Sequence, residues 1–244
     1  MTESTAIDSL FSAKLKDLKN PFSLHDMDKA VARLCEAFEK NEKICVYADF
    51  DLDGTSGLAL LVRGFEMLGF KNVEGYQPLR LQEGYGVHAH AIEKLQASGV
   101  DLVVTVDVGI TAFEALERAA ELGLDVIVTD HHQPKDQMPK ALAVVNPNKG
   151  FCDSGLGYLS GVGVGFYLFL ALKMEFQKRG WLIGEVDSKE LLDCFVIGTL
   201  TDMVPLIHEN RALVKHGLKA QEVTKRPGSV GPFPFMDETC FHVT

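Results

Sequence analysis

The chain has 244 residues, of which 46% are hydrophobic and 24% charged, enough apolar mass for one large domain or two small ones. Lys and Arg total 24 against 34 Asp and Glu, a formal net charge of −10. That balance excludes a disordered tail, a collagen-like repeat and a histone-like basic binder, while leaving room for a local basic groove. Cys35, Cys45, Cys152, Cys194 and Cys240 are scattered without a C-x-x-C pair, which points to a reduced cytoplasmic protein and away from a thiolate zinc site.

Residues 1–42 are expected to form an N-terminal helical segment; Met1 to Asn20 mixes charges with apolar residues, unlike a secretory leader. Lys43 to Ala48 reads as a first strand, and Thr55 to Leu68 as an amphipathic helix closed by Gly69. A second strand follows at Asn72 to Gln77, then a helix from His88 to Ala97 closed by Gly99. The third strand is Asp101 to Val106, followed by a helix from Ala112 to Leu122; Asp125 to Thr129 and Ala143 to Asn146 complete the strands. Short apolar strands separated by helices predict an α/β fold, with a parallel sheet of about five strands covered by helices on both faces.

The uncharged stretch Ser154 to Leu172 is long enough on paper to span a bilayer. Gly155, Gly157, Gly161, Gly163 and Gly165 crowd its first half, so it reads instead as a glycine loop feeding a buried helix from Val164 to Gln177, with no membrane partner. Helical patterns at Ser188 to Thr201 and Asn210 to Val223 make a helical C-terminal segment, and Arg226 to Thr244 reads as an irregular tail. The expected division is a catalytic unit over 43–206, a connecting helix over 207–225 and the tail over 226–244.

Ligands bind an open parallel sheet beyond the carboxyl ends of its strands. The first strand runs into Asp49, Asp51 and Asp53, the third into Asp107, and the fourth into Asp130, His131 and His132. Crowding that many carboxylates at one edge disfavours their ionised forms unless cations neutralise them. Oxygen ligands with one or two imidazoles suit Mn2+ or Mg2+, and two such ions roughly 3.5–4 Å apart can activate water for phosphoryl displacement. An EF-hand reading of D-x-D-x-D-G fails, because its twelfth position is Leu60 and a strand precedes it. A phosphoaspartate reading with Asp51 as nucleophile leaves Asp49 and the Asp130-His131-His132 triplet without roles.

The segments YADFDLDGTSG, TVDVGIT, VTDHHQP and GTLTDMVPL, in that order, resemble the DHH phosphoesterase superfamily. RLQEGYGV, VVNPN, LSGVGV and HENR narrow the resemblance to its RecJ-like members, single-stranded-DNA-specific exonucleases that work from the 5′ end, over Lys43 to Gly228. The resemblance implies two divalent cations held by Asp51, Asp53, His131 and Asp202, with Asp107 bridging and Asp49 ligating directly or through water. It implies that His132 contacts the scissile phosphate and Asp130 orients an imidazole, while a hydroxide generated at the cations makes a side-chain base unnecessary.

Thr55, beside Gly54 and Ser56, opens a helix whose N–H groups can meet phosphate, and Ser160, Gly161 and Gly163 offer a second such start; a mere tight turn is the competing reading. Arg80 and Tyr85 either hold a nucleotide or form a rim contact, and Arg211 is expected to tie helices together. His25, His88, His90, His208, His216 and His242 read as surface or capping residues. Val108 departs from the small polar residue usual after the bridging Asp. No counterpart of the second lobe of RecJ-like enzymes is visible, and SVGPFPFMDETCFHVT reads as a truncated or frame-shifted end or as a minimal domain. The expected function is metal-dependent phosphodiester hydrolysis on single-stranded DNA; the alternatives are a phosphoesterase for short oligonucleotides or nucleotide phosphates, and an inactive scaffold.

Overall fold

Side-chain alternation along five short apolar strands divides the interior into two cores. The computed structural model describes residues 14–223. Strands β1 (Ile44–Ala48), β2 (Val73–Tyr76), β3 (Leu102–Val106), β4 (Asp125–Thr129) and β5 (Ala143–Val145) form one parallel sheet in the order β2-β1-β3-β4-β5. The helices are α1 (Met27–Lys40), α2 (Leu52–Met67), α3 (Ala89–Ala97), α4 (Phe113–Glu121), α5 (Gly161–Arg179), α6 (Leu192–Thr201) and α7 (His208–Val223).

Successive residues of a strand point to opposite faces. Ile44, Val46, Leu102, Val104, Val106, Ile127 and Val145 therefore face the larger core, which α1, α2, α5, α6 and α7 cover. Cys45, Tyr47, Val103, Val126, Val128 and Val144 face the smaller core beneath α3 and α4. This is the doubly covered parallel sheet with a helical C-terminal stretch that the strand pattern predicts.

Gly161 and Gly163 of the glycine loop expected before Val164 are part of α5, which starts at Gly161, while Gly155 and Gly157 precede it. Glycine costs a helix interior about 1 kcal/mol relative to alanine, but here it allows contact that no other residue permits. A Cβ on Gly161 would lie 2.4 Å from the Cβ of Asp107. Tertiary packing at the sheet end thus overrides local propensity. The helix ends where Gly180 adopts φ 69.

Other boundaries also move. Helix α2 begins at Leu52 rather than Thr55, because Asp51 is its N-cap and accepts the Gly54 N–H at 2.8 Å. The expected Ser188 to Thr201 helix is a 3-10 turn, Ser188–Leu191, followed by α6, and α7 begins at His208 rather than Asn210. Among the described residues, no helix is long and apolar enough to cross a membrane. Residues 1–13 and the tail expected at Arg226 to Thr244 lie outside the described residues.

Helix α1 is fastened to the sheet end opposite the acidic cluster. Arg33, 9% exposed, reaches Glu42 and Asp125 at 2.7 Å each. Asp125 is 43% exposed, so solvent screens that half of the pair. Arg33→Ala is expected to lower stability in urea titrations by about 2 kcal/mol, since it strands the Glu42 carboxylate. A loss below about 0.5 kcal/mol, the range of an ordinary surface change, would contradict this assignment.

Candidate metal centre

Chain connections leave β1 toward β2 on one side and arrive at β3 on the other, which opens a crevice at the carboxyl ends of β1 and β3. Ala48 pairs with Val106 and Val106 with Thr129, so the next residues, Asp49, Asp107 and Asp130, emerge at one level. The sheet register alone therefore aligns three carboxylates.

Each carboxylate then meets different surroundings. Asp49 is 1% exposed, and both its carboxyl oxygens lack a well-formed hydrogen bond. Asp51 is exposed and caps α2. Asp53, buried in the first turn of α2, accepts the Gly161 N–H at 2.6 Å and the Val162 N–H at 3.0 Å. Those donors at the start of α5 are therefore committed to Asp53, which corrects the expectation that they meet phosphate. Ser160 is likewise buried and pairs with Thr199 at 3.1 Å, and Gly163 lies inside α5 against Leu159. Gly54 is committed to Asp51, and the Thr55 N–H donates to the Asp51 carbonyl at 2.9 Å.

Asp107 adopts φ 62, a left-handed conformation that Asp tolerates better than most residues and that concentrates at functional sites. Its turn is held by the Asp107 N–H donating to Thr129 O at 3.0 Å and Thr105 Oγ1 donating to Val108 O at 2.7 Å. The Val108 side chain packs into the smaller core, so its departure from the family pattern falls on packing.

Asp130 has the opposite character from Asp49. Its Oδ1 accepts the His131 N–H at 2.7 Å and the His132 N–H at 3.0 Å, and its Oδ2 accepts the Ile110 N–H at 2.9 Å. Oδ1 also lies 2.8 Å from His132 Nδ1. Burial opposes ionisation of Asp130, yet these donors hold its carboxyl below the ordinary value. The same bond raises His132 to about 9, against the opposing effect of its partial burial. In the charged ring both nitrogens carry protons: Nδ1–H faces Asp130, and Nε2–H is left toward the crevice, 3.5 Å from the Tyr85 hydroxyl.

Ligand atoms gather in three overlapping groups, each within 4.8 Å: Asp107, His131 and His132; Asp53, His131 and Asp202; and Asp49, Asp51 and Asp107. His131 Nε2 lies 3.2 Å from Asp107 Oδ1, 3.5 Å from Asp202 Oδ2 and 3.9 Å from Asp53 Oδ2. His131 Nε2, Asp107 Oδ1 and Asp202 Oδ2 are buried without a hydrogen-bond partner. Buried polar atoms are normally satisfied, so converging orphans of this chemistry fit an oxygen-rich divalent-cation site. With only protein charges facing it, Asp107 is pushed up to about 10 by burial and by Asp53 and Asp51, and burial pushes Asp53 up to about 6. Burial also raises Asp49 and Asp202.

A cavity of about 460 Å³ lies beside His132, lined in part by Tyr85, His88, Gly109, Thr111 and Gln133. Tyr85 is 53% exposed at its mouth, edge-on to Phe50 with ring centroids 6.3 Å apart, and the Arg80 guanidinium lies 5.3 Å from the Phe50 ring centroid. The role of Phe50 as platform for Arg80 has no signal in the sequence beyond its place in the acidic run. Three amides were also missed as site residues. Gln77 Nε2 donates to Asp49 O and Thr55 Oγ1, Asn146 Nδ2 to His132 O, and Asn148 Nδ2 to His131 O. VVNPN was visible as a motif, but nothing local says what its amides hold.

Fold and donor set together define an α/β domain that carries a carboxylate–imidazole cluster of cation-ligating type at its strand ends. More particularly, the chain belongs to the DHH family: residues 43–199 match the model of the DHH family, N-terminal domain. It is 41% identical over 210 residues to the single-stranded-DNA-specific exonuclease RecJ of Escherichia coli K12, covering 84% of this chain and 36% of that protein. Identity to RecJ of Bacillus subtilis 168 is 38% over 212 residues, covering 87% of this chain and 25% of that protein. The chain thus spans about a third or less of the length of these curated relatives. Among solved structures it resembles exonuclease RecJ bound to manganese, with TM-score 0.71 and 39% identity over 80% of this chain and 48% of that one. RecJ from Thermus thermophilus in complex with Mn2+ gives TM-score 0.69 and 35% identity, covering 83% of this chain and 28% of that one.

Asp53, Asp107 and His132 all have raised values, so each binds more protons when folded than when unfolded across some part of the range from pH 4 to 10. Stability then falls as pH rises. In thermal melts with a chelator, the midpoint is expected to drop steadily from pH 5 to pH 9, with saturating Mn2+ removing most of that slope. A midpoint that rises with pH under chelation would contradict the electrostatic assignment.

Proposed function

We propose that this chain is the catalytic lobe of a RecJ-like phosphodiesterase that hydrolyses single-stranded DNA from its 5′ end with two divalent cations, Mn2+ or Mg2+. The observation that carries the reading is that Asp107 and His131 each belong to two of the three donor groups, and so link them as holding two ions side by side requires. Identity to RecJ exonucleases supports it. In this reading Asp49, Asp51, Asp53, Asp107, His131 and Asp202 hold the cations. The ions supply Lewis-acid stabilisation of phosphoryl oxygens and lower the pKa of water.

The remaining work falls to the chain's own side chains. Asp130 fixes the His132 ring through Nδ1, so that Nε2–H is directed at a phosphate oxygen where negative charge develops. Tyr85, which lines the cavity, holds the terminal nucleotide by stacking, and Arg80, seated over the Phe50 ring that meets Tyr85 edge-on, pairs with its phosphate. A cavity of about 460 Å³ has room for one nucleotide rather than a duplex. The proposed catalytic unit is residues 43–206, followed by a connecting helix described as His208–Val223, with the protein working in the cytoplasm.

The test uses the chain with Mn2+ on a long 5′-phosphorylated single strand, a dinucleotide and a phosphomonoester. The long strand is expected to be hydrolysed fastest, and Asp107→Ala to abolish turnover while preserving cooperative melting. In His132→Ala, Mn2+ binding is expected to persist while kcat falls about 10²–10³-fold, the scale of losing one preorganised donor to the transition state. Fastest turnover of the dinucleotide or monoester would identify a small-substrate phosphoesterase instead, and loss of Mn2+ binding in His132→Ala would make His132 a ligand.

A further inference from the structure

The segments that follow the three central strands bear every candidate ligand but Asp202, which lies at the end of α6, whereas the two edge strands bear none; they lead instead into amide side chains. Beyond β5, Asn146 is fully buried and donates Nδ2–H to His132 O at 2.9 Å, while Asn148 donates Nδ2–H to His131 O at 2.5 Å. The two amides are coupled, because Asn146 Oδ1 accepts the Asn148 N–H at 2.7 Å. Beyond β2, Gln77 Nε2 donates to Asp49 O at 2.5 Å. Asp130 holds the same turn through the N–H groups of both histidines. The carbonyls and N–H groups of both histidines thus all have side-chain partners.

We propose that Asn148, supported by Asn146, is a positioning residue that sets the His131 ring for cation binding; this rests on the proposed function. Neither amide touches the ligand atoms, so each acts only through the backbone of the histidine it holds. A ligand whose backbone is fixed loses less conformational freedom on binding an ion, and groups that orient ligands from outside contribute to affinity. A further residue is shaped to this arrangement. A Cβ on Gly157 would lie 2.6 Å from Asn148 Oδ1, so the loop before α5 keeps space for the amide. Gly157 has no other tie to the candidate ligands in the structure described above. Its absence of a side chain explains one glycine of the run before α5 that the fold leaves outside any helix.

Calorimetric titration of the chain with Mn2+ tests the proposal, alongside metal-free melting of each variant. Asn148→Ala is expected to weaken Mn2+ binding about 10–100-fold, the usual effect of losing a group that orients a ligand. Gly157→Ala is expected to weaken binding in the same direction by displacing the amide. Asn148→Asp keeps the side-chain volume but loses the N–H, and is expected to weaken binding even though it adds negative charge. Mn2+ affinity within twofold of the parent in folded Asn148→Ala or Gly157→Ala, or tighter binding by Asn148→Asp, would overturn the positioning role. A lower melting point with unchanged affinity would likewise reduce the amide to a structural tie. Absence of Mn2+ binding by the parent chain would overturn the functional reading, and the positioning role with it; parental binding matched by the variants overturns the positioning role alone.

Discussion

Mutual repulsion of carboxylates at one end of the sheet is the constraint around which the rest is arranged. Ligand atoms of Asp49, Asp51 and Asp107 lie within 4.8 Å of one another, and Asp49 and Asp107 are 1% exposed. At that separation and an effective dielectric near 20, two unit charges repel by roughly 3 kcal/mol. Hydrogen bonds could relieve this, and elsewhere in the site they do: Asp53 and Asp130 accept backbone N–H groups. Asp107 Oδ1 receives no such relief and Asp49 only a marginal contact from the Phe50 N–H, too little to offset its burial, which leaves opposite charge as the remaining remedy.

The fold divides this labour by position in the sheet. Central strands β1, β3 and β4 lie on the crevice and end in acids and imidazoles, while the segments beyond β2 and β5 supply amides that hold the backbones of those ends. Amides suit that place because they donate without adding charge to an already acidic cluster. Helix α5 does the corresponding work from the larger core. Its first N–H groups complement Asp53, and its lack of a side chain at Gly161 lets it press against Asp107. The Asp53 carboxylate in the first turn of α2 and the glycine that opens α5 against Asp107 are two parts of one packing solution.

Much of this was legible in the residues. Short, nearly continuous apolar runs from Ile44, Leu102 and Asp125 locate the strands, and the acids that follow them mark the edge where ligands meet. The roles of Ser160, Gly161 and Gly163 were not legible. Glycine-rich text before a buried helix looks the same whether its N–H groups await a phosphate or already hold Asp53. The left-handed Asp107 was equally hidden, because φ there is imposed by Thr129 and Thr105 on neighbouring backbone rather than by a turn signature. Asn146 and Asn148 stood in a visible motif whose partners are two carbonyls of another strand end.

The amino-acid sequence by itself determined the α/β class, the parallel sheet and the identity of the charged groups at its carboxyl edge, because strand period and residue type are local properties. Tertiary structure alone decided which carboxylates are hydrogen-bonded and which converge unsatisfied beside His131. That choice depends on how closely α5, the β3 turn and the residues beyond β5 approach one another. Those approaches join segments remote in the chain, and no local pattern encodes them.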